Sequence, residues 1–255
     1  MKKMCTLFAA CLSLSALVCQ GSLMFTATED TFVRLDSPND SFGTSDFLLV
    51  GGHASVGPFN SFYKFSVDLT GFQTGETIDS VSFRLTSIAQ AGSGTVNLNL
   101  YQLSAANSDW IQGTSGAADN DTNPAATFNN KAGQGLGATP WAGGNSNANF
   151  VAGTDYVDTV LGNYTGAAND GSGGQTFTFG NAALTSLLNS QIGNVVDLNF
   201  VLMDQTGDTN FLRIASSQNG TYAAPTLEVN VIPEPGTLIL LGISLGALAL
   251  FRRRS

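Results

Sequence analysis

The chain has 255 residues with 19 acidic and 10 basic side chains, a formal net charge of −9, and room for one large β domain or two small ones. Charged residues are only 11% of it and glycines number 29, which suits strands joined by turns better than solvated helices. Five of the basic residues, Lys2, Lys3, Arg252, Arg253 and Arg254, sit at the two ends, so the middle is strongly acidic; that charge argues against nucleic acid as a partner and leaves cations and neutral polymers.

In chain order, residues 1–21 read as a secretory signal helix, the substrate of a signal peptidase. Lys2 and Lys3 precede an apolar run from Met4 to Cys19, and the small residues Cys19 and Gly21 suit cleavage before Ser22. Cys5, Cys11 and Cys19 are all the cysteines of the chain, so a processed protein has neither a disulfide framework nor a thiol nucleophile or ligand.

Period-two alternation then predicts strands at 27–35, 45–52, 61–69, 80–88 and 95–104, each bounded by turn residues. In the last, Val96, Leu98 and Leu100 share one face and Asn97 and Asn99 the other, the pattern of one buried and one wet face. Further strands are predicted at 175–180, 195–205, 209–217 and 226–232, with a short helix over 181–192. This pattern predicts an all-β, two-sheet antiparallel sandwich of jelly-roll type over 22–232.

The stretch 105–174 reads as a long Gly- and Asn-rich insertion with, at most, short strands; so long a loop in a compact domain is usually functional or mobile. It carries both tryptophans, Trp110 and Trp141. They either anchor the insertion on the sandwich or present a ring face to a sugar. Asp119, Asp121 and Asn123 place oxygen ligands at alternate positions, a spacing found in calcium loops, although a solvated Asx-rich turn has the same composition.

Catalytic groupings are sparse. His53, beside Gly51 and Gly52, reads as a turn residue rather than a base. Asp155 and Asp158 are the sort of carboxylate pair that glycosidic cleavage would use, and equally the sort of pair that exposed turns contain. The chain shows no nucleophile elbow, phosphate loop, zinc spacing or dinucleotide fingerprint. The expectation is a protein without an enzymatic activity, with a polysaccharide-degrading enzyme as an alternative.

At the C-terminus, the triplet Pro233, Glu234 and Pro235 precedes 15 largely apolar residues, Thr237 to Phe251, and the cluster Arg252, Arg253 and Arg254. As a helix the apolar run spans roughly 22 Å, short of a ~30 Å hydrocarbon core, and crosses only by recruiting its flanks or thinning the bilayer. Arginines that stay on the cytoplasmic side leave the β domain outside. Residues 233–255 closely resemble the PEP-CTERM sorting signal, which implies an exosortase as processing partner, transient anchoring by a transmembrane helix, and delivery to the cell envelope, cell surface or extracellular matrix.

A second resemblance covers most of the remaining chain. EDTFVRLDSPNDSFGTSDFLLVGG, NSFYKFSVDLTGF, IDSVSFRL, VNLNLYQLS and FLRIASSQNGTYAAPTLEVNV are similar to the secreted β-sandwich modules called DNRLRE domains, themselves similar to carbohydrate-binding modules. The resemblance implies a jelly roll, a non-catalytic structural or adhesive role, and contact with extracellular polysaccharide. By analogy with jelly-roll modules it also implies a structural calcium between terminal strands, where Glu29, Asp30 or Glu228 would serve.

Overall fold

The computed structural model describes residues 21–72, 75–88, 94–116, 125–132, 138–143, 150–168, 172–204 and 209–232. The alternating segments form β2 (Glu29–Arg34), β3 (Phe47–Gly51), β4 (Phe59–Asp68), β5 (Thr77–Thr86), β6 (Thr95–Gln102), β10 (Thr176–Phe179), β11 (Val195–Asp204), β12 (Phe211–Ala215) and β13 (Thr226–Ile232). Four strands not expected from alternation complete the set: β1 (Gly21–Thr26), β7 (Asn130–Ala132), β8 (Thr139–Pro140) and β9 (Gly162–Ala167). Residues 1–20 of the expected signal helix and the C-terminal segment 233–255, expected to be the other flanking helix, lie outside the described residues, while Gly21, assigned to the signal, is the first residue of β1. Among the described residues no helix is long and apolar enough to cross a membrane.

All strand pairs are antiparallel and make two main sheets. The smaller runs β1-β13-β5-β10; the larger runs β12-β3-β4-β11-β6-β9, with β2 also paired to β4, and β7 and β8 form a separate ribbon. The chain repeatedly changes sheet: β4 and β6 lie in the larger and β5 between them in the smaller, and likewise β9 and β11 flank β10. Each sheet therefore depends on the other for its connections, and the inward faces pack as one core.

That core is aromatic at its centre. The Phe83 ring lies 4.9 Å from Tyr63, 5.7 Å from Phe65 and 6.3 Å from Phe200 across the two sheets, and 6.0 Å from Phe179 within its own. Val96, Leu98 and Leu100 join it, fully buried as their alternation requires. The predicted helix forms as α1 (Ala182–Asn189). Its N-cap is Asn181, whose Oδ1 accepts the amides of Ala183 at 2.8 Å and Leu184 at 3.1 Å. Leu184 and Leu188 enter the core, and Asn189 exchanges two hydrogen bonds with the Ile78 backbone of β5.

β9 shortens the expected insertion, because Gly162–Ala167 pairs with β6 as the last strand of the larger sheet. Its sequence, GNYTGA, has no alternation to read, since only Gly162 is buried and Tyr164 and Gly166 are half-buried. Gly162 is there for space: a Cβ would come within 2.4 Å of the Gly180 amide nitrogen.

Candidate functional site

The remaining insertion builds a second core on the outward face of the larger sheet. Val33, Phe62, Tyr101, Val201 and Met203 project from that sheet, and Trp110, Ala126, Phe128, Trp141 and Tyr156 of the insertion cover them. Trp141 stacks on Phe62 at 4.9 Å with an 18° interplanar angle, and Phe150 closes edge-on at 4.9 Å from Trp141. Trp110 is fully buried and Trp141 only 6% exposed. As placed, the two rings are the anchors of the insertion, and neither offers an open face to a sugar.

Buried polar groups fix the cover. The Asp155 carboxylate, 3% exposed, accepts from Asn107 Nδ2 at 2.9 Å, from the Gly143 amide at 2.8 Å and from the Val151 amide at 2.8 Å. Asn107 Oδ1 in turn accepts the Ala142 amide at 2.8 Å, so one carboxylate and one side-chain amide tie three separate stretches of the insertion together. A side chain at 143 would meet Asp155 Oδ2 at 2.2 Å. Lys131 Nζ donates to Ala106 O at 2.5 Å and to Asp109 at 2.6 Å. Lys64 of β4 donates to Trp110 O at 2.5 Å and to Glu29 at 3.0 Å, with its ammonium 4.7 Å from the Trp110 ring centre. Asp155 is thus occupied in holding backbone, while Asp158 is exposed.

His53 is a turn residue: its carbonyl accepts the amides of Val56 and Gly57, and Nδ1 accepts that of Ser55 at 3.2 Å. The expected calcium loop, Asp119, Asp121 and Asn123, lies outside the described residues. The three carboxylates proposed by analogy are not brought together. Glu29 faces Lys64, and Glu228 pairs with Arg84 at 2.9 Å in the other sheet. Asp30 is turned into the core, 1% exposed, with Oδ2 accepting the Ser217 amide at 2.6 Å and Oδ1 without a partner. Burial pushes its carboxyl up to about 6, against the opposing pull of the Ser217 hydrogen bonds. Among the described residues no group of three His, Cys, Asp or Glu forms a metal site.

With the centre of the larger sheet covered, the outside of the smaller one is an open face. Register aligns Thr26, Thr226, Arg84 and Thr178 in one row, Met24, Glu228 and Ser82 in the next, and Ser22, Asn230 and Ser80 in a third. Its charges are largely cancelled by the Arg84–Glu228 pair, and Asn230 donates to Ser80 Oγ at 3.1 Å. At one side a groove of about 560 Å³ opens between this face and the start of α1, lined by Asp79, Ser80, Ser82, Thr178, Asn181 and Thr185. The volume suits a small ligand or one segment of a polymer, and the lining hydroxyls suit an uncharged polar one. Single short polar residues in strands gave no signal of this surface; only their register collects them.

Comparison with known proteins bears on the end of the chain. Residues 231–255 match the PEP-CTERM protein-sorting motif. That motif contains Pro233, Glu234, Pro235, Arg252, Arg253 and Arg254 and indicates exosortase-dependent export to the cell surface. It starts where β13 ends, at Val231 and Ile232. No curated protein matches the chain.

Replacing Asp155 by Ala removes three hydrogen bonds to its carboxylate, one from buried Asn107 and two from the backbone amides of Gly143 and Val151, a cost of about 3 kcal/mol. The expected result is local opening of the insertion: both tryptophans shift their emission to the red and protease cuts within 105–160, while the β-sheet circular dichroism persists. Unchanged emission and resistance to protease would show that Asp155 does not hold the cover. Asp30 gives a second expectation. Its folded pKa lies above its unfolded value, so the folded state binds the extra proton and stability falls as pH rises from about 4 to about 6. Asp30→Asn is expected to flatten urea-unfolding stability across that window and to raise it by ~2–3 kcal/mol at pH 7. A slope left intact in Asp30→Asn would assign the titration to another group.

Proposed function

We propose that the chain is an exported, non-catalytic protein with a structural or adhesive role in the cell envelope or extracellular matrix, and that its sandwich is a DNRLRE-like module of jelly-roll topology. The signal segment 1–21 starts export, the apolar segment 237–251 holds the chain in the membrane, and an exosortase acts at Pro233–Pro235. The observation that carries this reading is the sorting motif at 231–255, abutting a sandwich whose last strand closes at Ile232. Supporting the absence of catalysis, Asp155 is consumed by backbone hydrogen bonds and His53 by a turn. Changing Pro233, Glu234 and Pro235 together to Ala is expected to leave the sandwich folded and retain an unprocessed, membrane-held chain. Fractionation with mass spectrometry of the C-terminus reads this directly, and unchanged processing and surface delivery would remove the triplet from the mechanism.

A second reading, contact with a neutral extracellular polysaccharide, is favoured by the hydroxyl-lined groove beside α1. This reading does not use Trp110 or Trp141, both of which are buried. Thr178→Arg and Ser82→Arg, exposed or half-exposed positions on the groove wall, are expected to abolish glycan-array binding without changing the melting temperature. Binding that survives both substitutions would move the contact elsewhere.

A further inference from the structure

We propose that the free edge of β1 is a contact between copies of this chain: two β1 strands pair antiparallel about a two-fold axis at Met24 and join two smaller sheets into one. The proposal deepens the structural role given above and rests on it only for its setting.

β1 is the end strand of the smaller sheet, and among the described residues its ladder partner is β13. The direction of its backbone groups follows from its exit. The Ala27 amide donates to Pro225 O at 2.9 Å, on the β13 side, and the next amide, Thr28, donates the opposite way to Lys64 O at 2.8 Å. Amides alternate along an extended strand, so Gly21, Leu23 and Phe25 address β13, while Ser22, Met24 and Thr26 direct N–H and C=O outward. Antiparallel pairing about Met24 sets Met24 against itself and Ser22 against Thr26. Each outward amide then meets an outward carbonyl, and the same register places Met24 beside Met24 on the outer face and Leu23 beside Phe25 on the inner.

Exposed edges are normally blunted by charge, proline, bulges or cover. β1, GSLMFT, has no charge and no proline, and its register to β13 runs unshifted from Gly21 to Thr26. Leu23 and Met24 are 40% and 62% exposed. Other strand ends are engaged: β12 is bridged through Ile214 to Ser87 and accepts the Ile88 amide at Arg213 O, and β9 packs Tyr164 edge-on against Phe177 of β10. The charge pattern favours a second copy as occupant. Two chains of net charge −9 repel over most approaches, and β1 gives them an uncharged strip whose hydrogen-bonding pattern is its own complement.

The test is sedimentation velocity of the purified full chain in detergent across a concentration series. Met24→Pro deletes an outward amide and leaves the bonds to β13 in place; Met24→Lys sets two like charges together at the axis. Wild type is expected to dimerise, and both variants to weaken the dimer by roughly tenfold or more, for the two bonds lost or the charges opposed. In a chain with Cys5, Cys11 and Cys19 changed to Ser, Met24→Cys is expected to cross-link with a short bis-maleimide and Thr176→Cys, at the far edge of the same sheet, not to. A wild-type monomer at every concentration overturns the proposal. So does Met24→Pro dimerising as wild type does, which would assign the association to the apolar tail, or equal cross-linking at both cysteines. Each result is read without reference to export, so failure here leaves the sorting reading standing.

Discussion

The outward face of the larger sheet is apolar at its centre, at Val33, Phe62, Tyr101, Val201 and Met203, and the insertion exists in its observed form because those side chains must be covered. β11 makes the constraint plain: Leu198 to Met203 are buried without a break, so the strand has core on both sides. Phe62 of β4 is the pivot, with Trp110, Trp141 and Phe150 all within ring contact. A chain without disulfide cross-links in this domain has only such burial, at ~25 cal/mol per Å² of apolar surface, to offset the entropy of ordering so long an insertion. The polar ties then select one arrangement of the cover. Asp155, Asn107, Lys131 and Lys64 bind mainly to backbone atoms, which is what irregular buried segments require, since they have no ladder to satisfy their own amides.

Alternation located the nine main strands because each buries one face in the central core, and the helix expected over 181–192 forms at Ala182–Asn189 behind the Asn181 cap. β1 and β9 were illegible for one reason: edge strands bury little, so GSLMFT merged with the signal segment and GNYTGA with the insertion. The second core did leave a trace. Phe200, Val201, Leu202 and Met203 break the alternation of β11 with four consecutive apolar residues, the sign of a strand buried on both faces. The two tryptophans were visible as anchors or platforms, and only packing separates those roles. Asp30 looked like a calcium ligand beside Glu29, yet adjacent residues in a strand point to opposite faces. The pair could never share an ion by proximity alone: Glu29 faces the insertion and Asp30 the core.

Cover on one sheet has a consequence for the other. With the centre of the larger sheet closed over, the hydroxyl-rich outside of the smaller sheet is an accessible flat surface, and the same sheet ends in the uncharged strand β1. The two features sit together because β13 separates β1 from β5, so an extension of the sheet through β1 would lengthen the polar face by rows in the same register. In the two-fold pair proposed above, that polar face is doubled once and the sheet is closed at two copies.

The same corner holds both routing segments. Gly21 pairs with Val231, so the N-terminal segment, proposed above to start export, and the sorting motif adjoin the sandwich side by side. Pro233 has no amide to extend the ladder past Ile232, which ends β13 where the sorting motif begins. A cut before Ser22 takes only the terminal Gly21–Val231 pair from the β1–β13 ladder, a cut beyond Ile232 takes none, and neither removes a residue of either core. Among the described residues both cores lie between those two adjacent ends, so loss of either terminal segment would leave the packing in place.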